Sequence, residues 1–242
     1  MFKNYLISNL HIYIMNKTFV LLVTALLSLV FSNDLYPQKR SFTGKVIYKI
    51  NLDQTGLPDE ARAMMPTTVT TYIGNDKVKT EIATMMGNQQ TILDLNEKSH
   101  ITLMEVMGQK LAIKDNYEEL MKKMKDFPEF RIEITDETLE IAGLDCKKVL
   151  IKKVSPDGKE STDGYAWFTD EFKLNPAFNF NNPTFKDLNG LLMDYEMMTG
   201  NNMKMKLTAV EVNRQKIKDS EFEIPSEYKF VTRQELSRII GF

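Results

Sequence analysis

After Ser41 the chain alternates. Phe42, Gly44, Val46, Tyr48, Ile50 and Leu52 interleave with Thr43, Lys45, Ile47, Lys49 and Asn51, a period of two that predicts a strand with one face buried. In TVTTYIGNDKVKTEIA, the residues Gly74, Asn75 and Asp76 divide two β-branched runs, which predicts a hairpin. The same punctuation recurs at Asn96, Glu97 and Lys98, and again at Ser155, Pro156, Asp157 and Gly158. Hairpins in series predict a mainly antiparallel sheet.

Helical periodicity interrupts this pattern twice. Asp115 and Glu118 have capping-box spacing, Tyr117, Leu120, Met121 and Met124 recur at i, i+3, i+4 and i+7, and Pro128 stops the run. A helix is expected over Asn116 to Lys125. Thr232 with Glu235 forms a second box ahead of Leu236, Ile239 and Ile240, so a short amphipathic helix is expected at the C-terminus. Leu57 to Met65, bounded by Pro58 and Pro66, has room for one helical turn. LNPAFNFNNPTF, from Leu174 to Phe185, predicts a loop that either packs its aromatics on the body or works as a lid.

The stretch GLLMDYEMMTGNNMKMKL, Gly190 to Leu207, holds five of the fifteen methionines. Thr199 to Asn202 are turn residues between two alternating arms, and side-chain chemistry constrains how the arms pair. A loop of even length would set charges beside thioethers on both faces. A three-residue loop sets Met197 against Met203, Tyr195 against Met205 and Met193 against Leu207, with Glu196 meeting Lys204 and Asp194 meeting Lys206. A one-residue slip inverts every side chain, so the expected apolar face is Met193, Tyr195, Met197, Met203, Met205 and Leu207. Three uses of that face stand open: plain core, since methionine fills irregular gaps; the wall of a cavity for a flexible apolar guest; or a thioether site for Cu(I). Further methionines at 64, 65, 85, 86, 104, 107, 121 and 124 extend the pattern toward the whole interior.

Composition narrows the function classes. With 31 basic and 33 acidic residues the formal charge is -2, so no global field recruits nucleic acid or an anionic surface. From Met15, MNKTFVLLVTALLSLVFS combines a Lys-bearing start with an apolar run from Phe19 to Phe31. That run is shorter than the roughly 20 residues of a spanning helix, and it predicts a secretory signal peptide over residues 1–32 with its true start at Met15. Residues 33–41 are expected to be a flexible segment and 42–242 a single domain, with no repeat or low-complexity linker dividing it. Cysteine does not follow the expected cleavage point, which argues for a soluble exported protein and against a lipid-anchored one. The single cysteine, Cys146, excludes an intrachain disulfide and is expected to be a small buried hydrophobe.

Candidate chemistry is sparse. Beyond the signal segment only His100 offers an imidazole, in the alternating SHITL with no nucleophile motif beside it, and an exposed strand histidine is the expectation. Asp94 with Glu97, and Asp136 with Glu137, are expected to be solvated turn charges. No nucleophile-elbow, phosphate-loop or zinc-protease motif occurs. These features argue for a protein that is not an enzyme, with no cofactor and no metal.

TYIGNDKVKTEIATMMGNQQTILDLNEKSHITL, ETLEIAGLDCKKVLIKK and the lone Trp167 in YAWFTDEF together resemble the exported Gram-negative proteins grouped as domain of unknown function 4412, in order and spacing over most of Phe42 to Thr232. FKDLNGLLMDY and FEIPSEY are also similar to the GLPGLI family, with Asp187-Leu188-Asn189-Gly190-Leu191 standing where its members carry G-L-P-G-L. The first resemblance implies a LolA-like architecture, similar to lipoprotein carriers: a curved antiparallel sheet, or incomplete β-barrel, whose mouth is covered by helices and whose hollow holds acyl chains. The expected function is an exported, periplasmic or outer-membrane-associated carrier of a lipid or lipoprotein acyl chain. Met193, Tyr195, Met197, Met203, Met205, Leu207, Met121, Met124 and Trp167 would line the hollow. A structural or partner-binding envelope protein with a filled core is the alternative.

Overall fold

The computed structural model describes residues 41–51, 58–63, 65–84, 87–125, 127–179, 182–198 and 204–241. The signal segment, residues 33–40, Leu52, Leu57, Met64, Met85, Met86, Phe180, the turn around Gly200 and Met203 lie outside these, as does the side chain of Met124.

The fold is mainly β. Twelve strands form one open sheet: β1 (Gly44–Asn51), β2 (Thr68–Ile73), β3 (Lys77–Thr84), β4 (Gly87–Asp94), β5 (Ser99–Val106), β6 (Gln109–Asp115), β7 (Glu129–Ile141), β8 (Leu144–Val154), β9 (Glu160–Thr169), β10 (Leu191–Met198), β11 (Lys204–Arg214) and β12 (Lys229–Phe230). Their order is β12-β6-β5-β4-β3-β2-β1-β11-β10-β9-β8-β7. Every ladder is antiparallel except the two-residue pairing of β12 with β6. The expected turns at Gly74–Asp76, Asn96–Lys98 and Ser155–Gly158 all join neighbouring strands. Two further hairpins close through Met107-Gly108 and Ala142-Gly143, all four residues at positive φ, the geometry whose twist matches that of the flanking strands. Met107 is therefore a turn residue, 77% exposed, and not part of the interior.

The antiparallel pairing of β1 with β11 joins strands far apart in the chain. β1 lies between β2 and β11, so the first strand joins the two runs of sequential hairpins. Val46, Tyr48 and Ile50 all turn to the same face, as alternation requires, and all are buried.

The helices are α1 (Asp59–Ala63), α2 (Tyr117–Lys125) and α3 (Arg233–Ile240). For α3 the capping box stands as expected: Thr232 Oγ1 accepts from the Glu235 N–H, the Glu235 carboxylate accepts from the Thr232 N–H, and Gly241 ends the helix in the left-handed conformation. For α2 the expected cap moves by one residue. Asn116 Oδ1 accepts from the N–H groups of Glu118 and Glu119 at 3.0 and 3.2 Å, while Asp115 is the last residue of β6 and points elsewhere. Both residue types cap well, so composition alone does not separate them.

Two layers of packing hold the sheet. On one face, Val46, Tyr48, Ile50, Val69, Ile73, Met193, Met205 and Leu207 form the central core with Cys146 and Leu174. On the opposite face of β4 to β6, Ile92, Ile101, Leu103 and Ala112 are sealed by Phe222, with Ile217, Ile224 and Tyr228 packed beside it. The chain after β11 thus folds back as an outer cover. A third cluster joins Val149, Ile151, Ala166 and Phe168 of β8 and β9 to Phe185, Leu188 and Leu192. Residues 174–179 and 182–190, with short 3-10 turns at Pro176–Asn179 and Pro183–Phe185, lie over the inner face. Met121 of α2 is 37% exposed.

Candidate functional site

The methionine hairpin pairs with the expected parity but a different register. Met197 stands opposite Met205, Tyr195 opposite Leu207, Glu196 opposite Lys206, Asp194 opposite Thr208, and Met198 opposite Lys204. Met197 thus faces Met205 where Met203 was expected, a shift of two residues that keeps the parity, while residues 199–203 lie outside the described ones. An odd connection still sorts the faces. Met193, Met205 and Leu207 are buried, while on the other side Lys206 Nζ lies 3.1 Å from Asp194, whose second oxygen accepts from Thr208 Oγ1 at 2.7 Å. Lys206 sits between Glu196 and Asp194, so charge pairing is satisfied at either register.

Between this inner face and segment 174–190 lies a cavity of about 210 Å³. Its walls come from β1 to β5 and from β10 and β11. His100 of β5 and Tyr195 of β10 both line it, although they are six strand spacings apart in the sheet order, about 29 Å if the sheet were flat. The sheet therefore curls around the cavity. Ladders β1/β11, β9/β10, β8/β9 and β7/β8 each carry a register break, and bulges bend strands and increase their twist; of these, the β1/β11 break lies between β5 and β10.

Apolar side chains dominate the lining. Val69 and Ile73 of β2, Val78 and Ile82 of β3, and Leu93 of β4 form one wall; Leu191, Leu192, Tyr195, Met197 and Leu207 form the other; Leu174 and Phe178 close it from the covering segment. Tyr195 meets Tyr48 and Phe185 edge to face, with centroids 5.8 and 6.1 Å away. Burial pushes its phenol up to about 12. Tyr48 donates to the Leu192 carbonyl at 2.9 Å, and burial, together with the nearby Tyr195, raises its pKa well above the ordinary range.

A polar row crosses the first wall. Thr71 pairs with Thr80, Thr80 with Thr91 and Thr91 with Thr102 across four successive strands, and the first three line the cavity. Sequence reasoning missed this row, although folding TVTTYIGNDKVKT at its turn already sets Thr71 against Thr80. In the next row His100 stands opposite Asp115. His100 Nδ1 is 2.8 Å from Asp115 Oδ2, and Arg233 of α3 donates through Nε to Asp115 Oδ1 at 2.9 Å. The expectation of an exposed strand histidine is thus corrected: the side chain is 14% exposed and tied to a buried carboxylate. SHITL misled because both faces of β5 are covered, so alternation there separates two buried faces.

Asparagines complete the lining from the cover. Asn179 Nδ2 donates to the Phe185 carbonyl at 2.9 Å. Asn182 is fixed through its backbone, its N–H donating to the Asn179 carbonyl and its carbonyl accepting from the Phe185 N–H. Its side-chain Nδ2 is buried with no hydrogen-bond partner among the described residues, an arrangement costing about 1–3 kcal/mol.

Of the expected lining residues, Tyr195, Met197 and Leu207 border the cavity, while Met193 and Met205 are packed in the core beside it. Met121 does not border it. Neither does Trp167, which stands opposite Asp194 with Lys148 Nζ 6.0 Å over its ring. Asp94 is likewise no solvated loop charge: it is buried, accepts from the N–H groups of Asn96 and Glu97, and pairs with Lys77 at 3.0 Å. Asp136 and Glu137 are exposed, as expected, but they lie within β7 and not at a turn, and Glu137 pairs with Lys148 Nζ at 3.0 Å. Among the described residues no cluster of three or more His, Cys, Asp or Glu is arranged to hold a metal ion, and no helix is long and apolar enough to cross a membrane. Neither a family model nor a curated protein matches the chain.

Proposed function

We propose that the protein is an exported, non-enzymatic carrier or binding protein of LolA-like type that takes an apolar chain, from a lipid or an acylated lipoprotein, into the cavity between the curled sheet and segment 174–190. The observation that carries this reading is the cavity itself: about 210 Å³ with mostly apolar walls, against a covering segment held by single turns. Its size is just below the roughly 300–1,000 Å³ of pockets that enclose whole small molecules, which suits part of one acyl chain. Burial of each methylene contributes about 0.8 kcal/mol, so a guest needs no catalytic group to be held. His100 has its Nδ1 on Asp115, an arrangement that serves packing at the cavity rim. The apolar lining supports an apolar guest, and the motif resemblance supports work in the periplasm or at the outer membrane.

A second reading, a structural or partner-binding envelope protein, draws support from Met193 and Met205, which fill core where wall was expected. One experiment separates the two. Native mass spectrometry of the gently purified protein should show added lipid mass, and a fluorescent fatty-acid probe should bind saturably. Thr80→Phe, which fills the cavity from its first wall, should weaken that binding at least tenfold. No added mass together with no saturable binding overturns the carrier reading.

A further inference from the structure

We infer that β7 is a self-association edge: two copies of the chain join β7 to β7, antiparallel about a two-fold axis at Ile132, into one continuous sheet. The two ends of the sheet are finished differently. At one end stands the two-residue β12; at the other stands β7, 13 residues long, which among the described residues pairs only with β8. The outer side of a long edge strand presents unpaired N–H and C=O groups, a template for another strand. Alternation gives this edge two chemistries. Phe130, Ile132 and Ile134 share the face of the buried Val149 and Ile151, yet Ile134 is 56% exposed, while Glu129, Arg131 and Glu133 stand exposed on the other face.

One register serves both faces. With Ile132 opposite its own copy, Phe130 meets Ile134 twice, Arg131 meets Glu133 twice, and Glu129 meets Thr135. Moving the axis one residue toward the N-terminus sets Arg131 on Arg131 and Glu129 on Glu133; moving it one residue the other way sets Glu133 on Glu133. An axis between residues sets apolar side chains against charged ones. Opposite charges directly across a ladder stabilise it and like charges destabilise it, so the charge order of β7 selects a second copy of itself at a single register. The strand is also cut to that length: Pro128, with no N–H to give, precedes it, and the register break between Ile134 and Thr138 ends its regular run. A net charge of -2 sets little repulsion between copies. Each copy uses its one long edge, so assembly closes at two. β7 lends no residue to the cavity lining, and the carrier reading stands or falls separately.

Sedimentation velocity of the purified protein over a concentration series tests this, and wild type should show a reversible monomer–dimer equilibrium. Arg131→Glu sets two acids across the axis and Glu133→Arg sets two bases. Both positions are exposed, so the variants should keep the wild-type thermal midpoint, and each alone should weaken the dimer at least tenfold. Mixed in equal amounts, the two variants should recover a dimer, because each reversed charge then meets its opposite on the other copy. Binding of a fluorescent fatty-acid probe should be the same in wild type and both variants. A wild type that stays monomeric up to about 1 mM, a dimer that both variants keep, or folded variants that stay apart when mixed would each overturn the inference.

Discussion

Two halves of one sheet are built differently. From β2 to β6 every ladder keeps an unbroken register, and both faces are covered, the outer one by Phe222 and its neighbours. In the half made by β1 and β11 to β7, four of five ladders carry a register break, the exception being the β10/β11 hairpin. Regular strands give a doubly packed wall; the interrupted half completes the cavity from β10 and β11. The difference teaches that the hollow belongs to neither half alone. Straight strands supply its threonine-crossed wall, and bent ones bring Tyr195 and Met197 round to face it.

If the regular half depends on its outer cover, removing the anchor of that cover should have the largest effect. Phe222→Ala is expected to cost about 3–5 kcal/mol, as for other buried phenylalanines cut to alanine, read as a lowered urea midpoint. Ligand binding per folded molecule should persist, since Phe222 packs on the face away from the cavity. A cost below about 1 kcal/mol would show that the cover is ornamental to the wall, and the contrast between the halves would lose its basis.

What could be read from the chain divides along the same line. Hairpins of the regular half are punctuated by short turns, so pairing follows directly from positions such as Gly74 and Asn96. In the interrupted half, alternation specifies only parity. It required an odd connection around Gly200, yet pairing Met197 with Met203 or with Met205 satisfies it equally, and Lys206 finds an acid in either case. The bulges at β9/β10 and β7/β8 left no composition signal. Long-range closure was also hidden: nothing near Phe222 says that it lies on Leu103, and nothing near Asp115 says that Arg233 reaches it. Burial on both faces made His100 look like a surface residue, because a period of two marks which side a residue faces and not what covers that side.

An intermediate effect is expected where the bent half meets its cover. Gly190 leads into β10, and a Cβ there would lie 2.6 Å from the Phe168 ring and 2.6 Å from the Thr169 carbonyl oxygen. The ring can shift, but the carbonyl belongs to a ladder. Gly190→Ala should therefore cost about 1–3 kcal/mol, in the range of overpacked cores, with a lower thermal midpoint and a changed emission from Trp167, which lies on β9 two residues from the clash. An unchanged midpoint would mean that this half yields more readily than the regular one.

The smallest effect separates the halves by pH. Lys79 on β3 is buried, pairs with Glu81 at 2.9 Å and with Glu221 of the outer cover, and lies 4.7 Å over the Tyr72 ring. Desolvation alone would lower its pKa, but the hydrogen bonds it donates to Glu221 and Glu81 outweigh it, so the folded-state value is raised. A lysine whose pKa is higher folded than unfolded contributes stability that is complete below the unfolded value, about 10.4, and is lost as pH climbs through the raised folded value. Lys206, raised by Asp194 against the same opposing desolvation, contributes likewise in the bent half, but its own side chain is more exposed, 27% against 8%, so water screens its charge more. Thermal midpoints measured from pH 8 to pH 11 should fall for wild type. Lys79→Met should flatten that fall, because the partly exposed Glu221 can be hydrated once its cation is gone, whereas Lys206→Met should flatten it less. Equal flattening by the two variants would mean that the outer cover is held by its apolar side chains alone, and that the ion pair across β3 only marks where the cover lies.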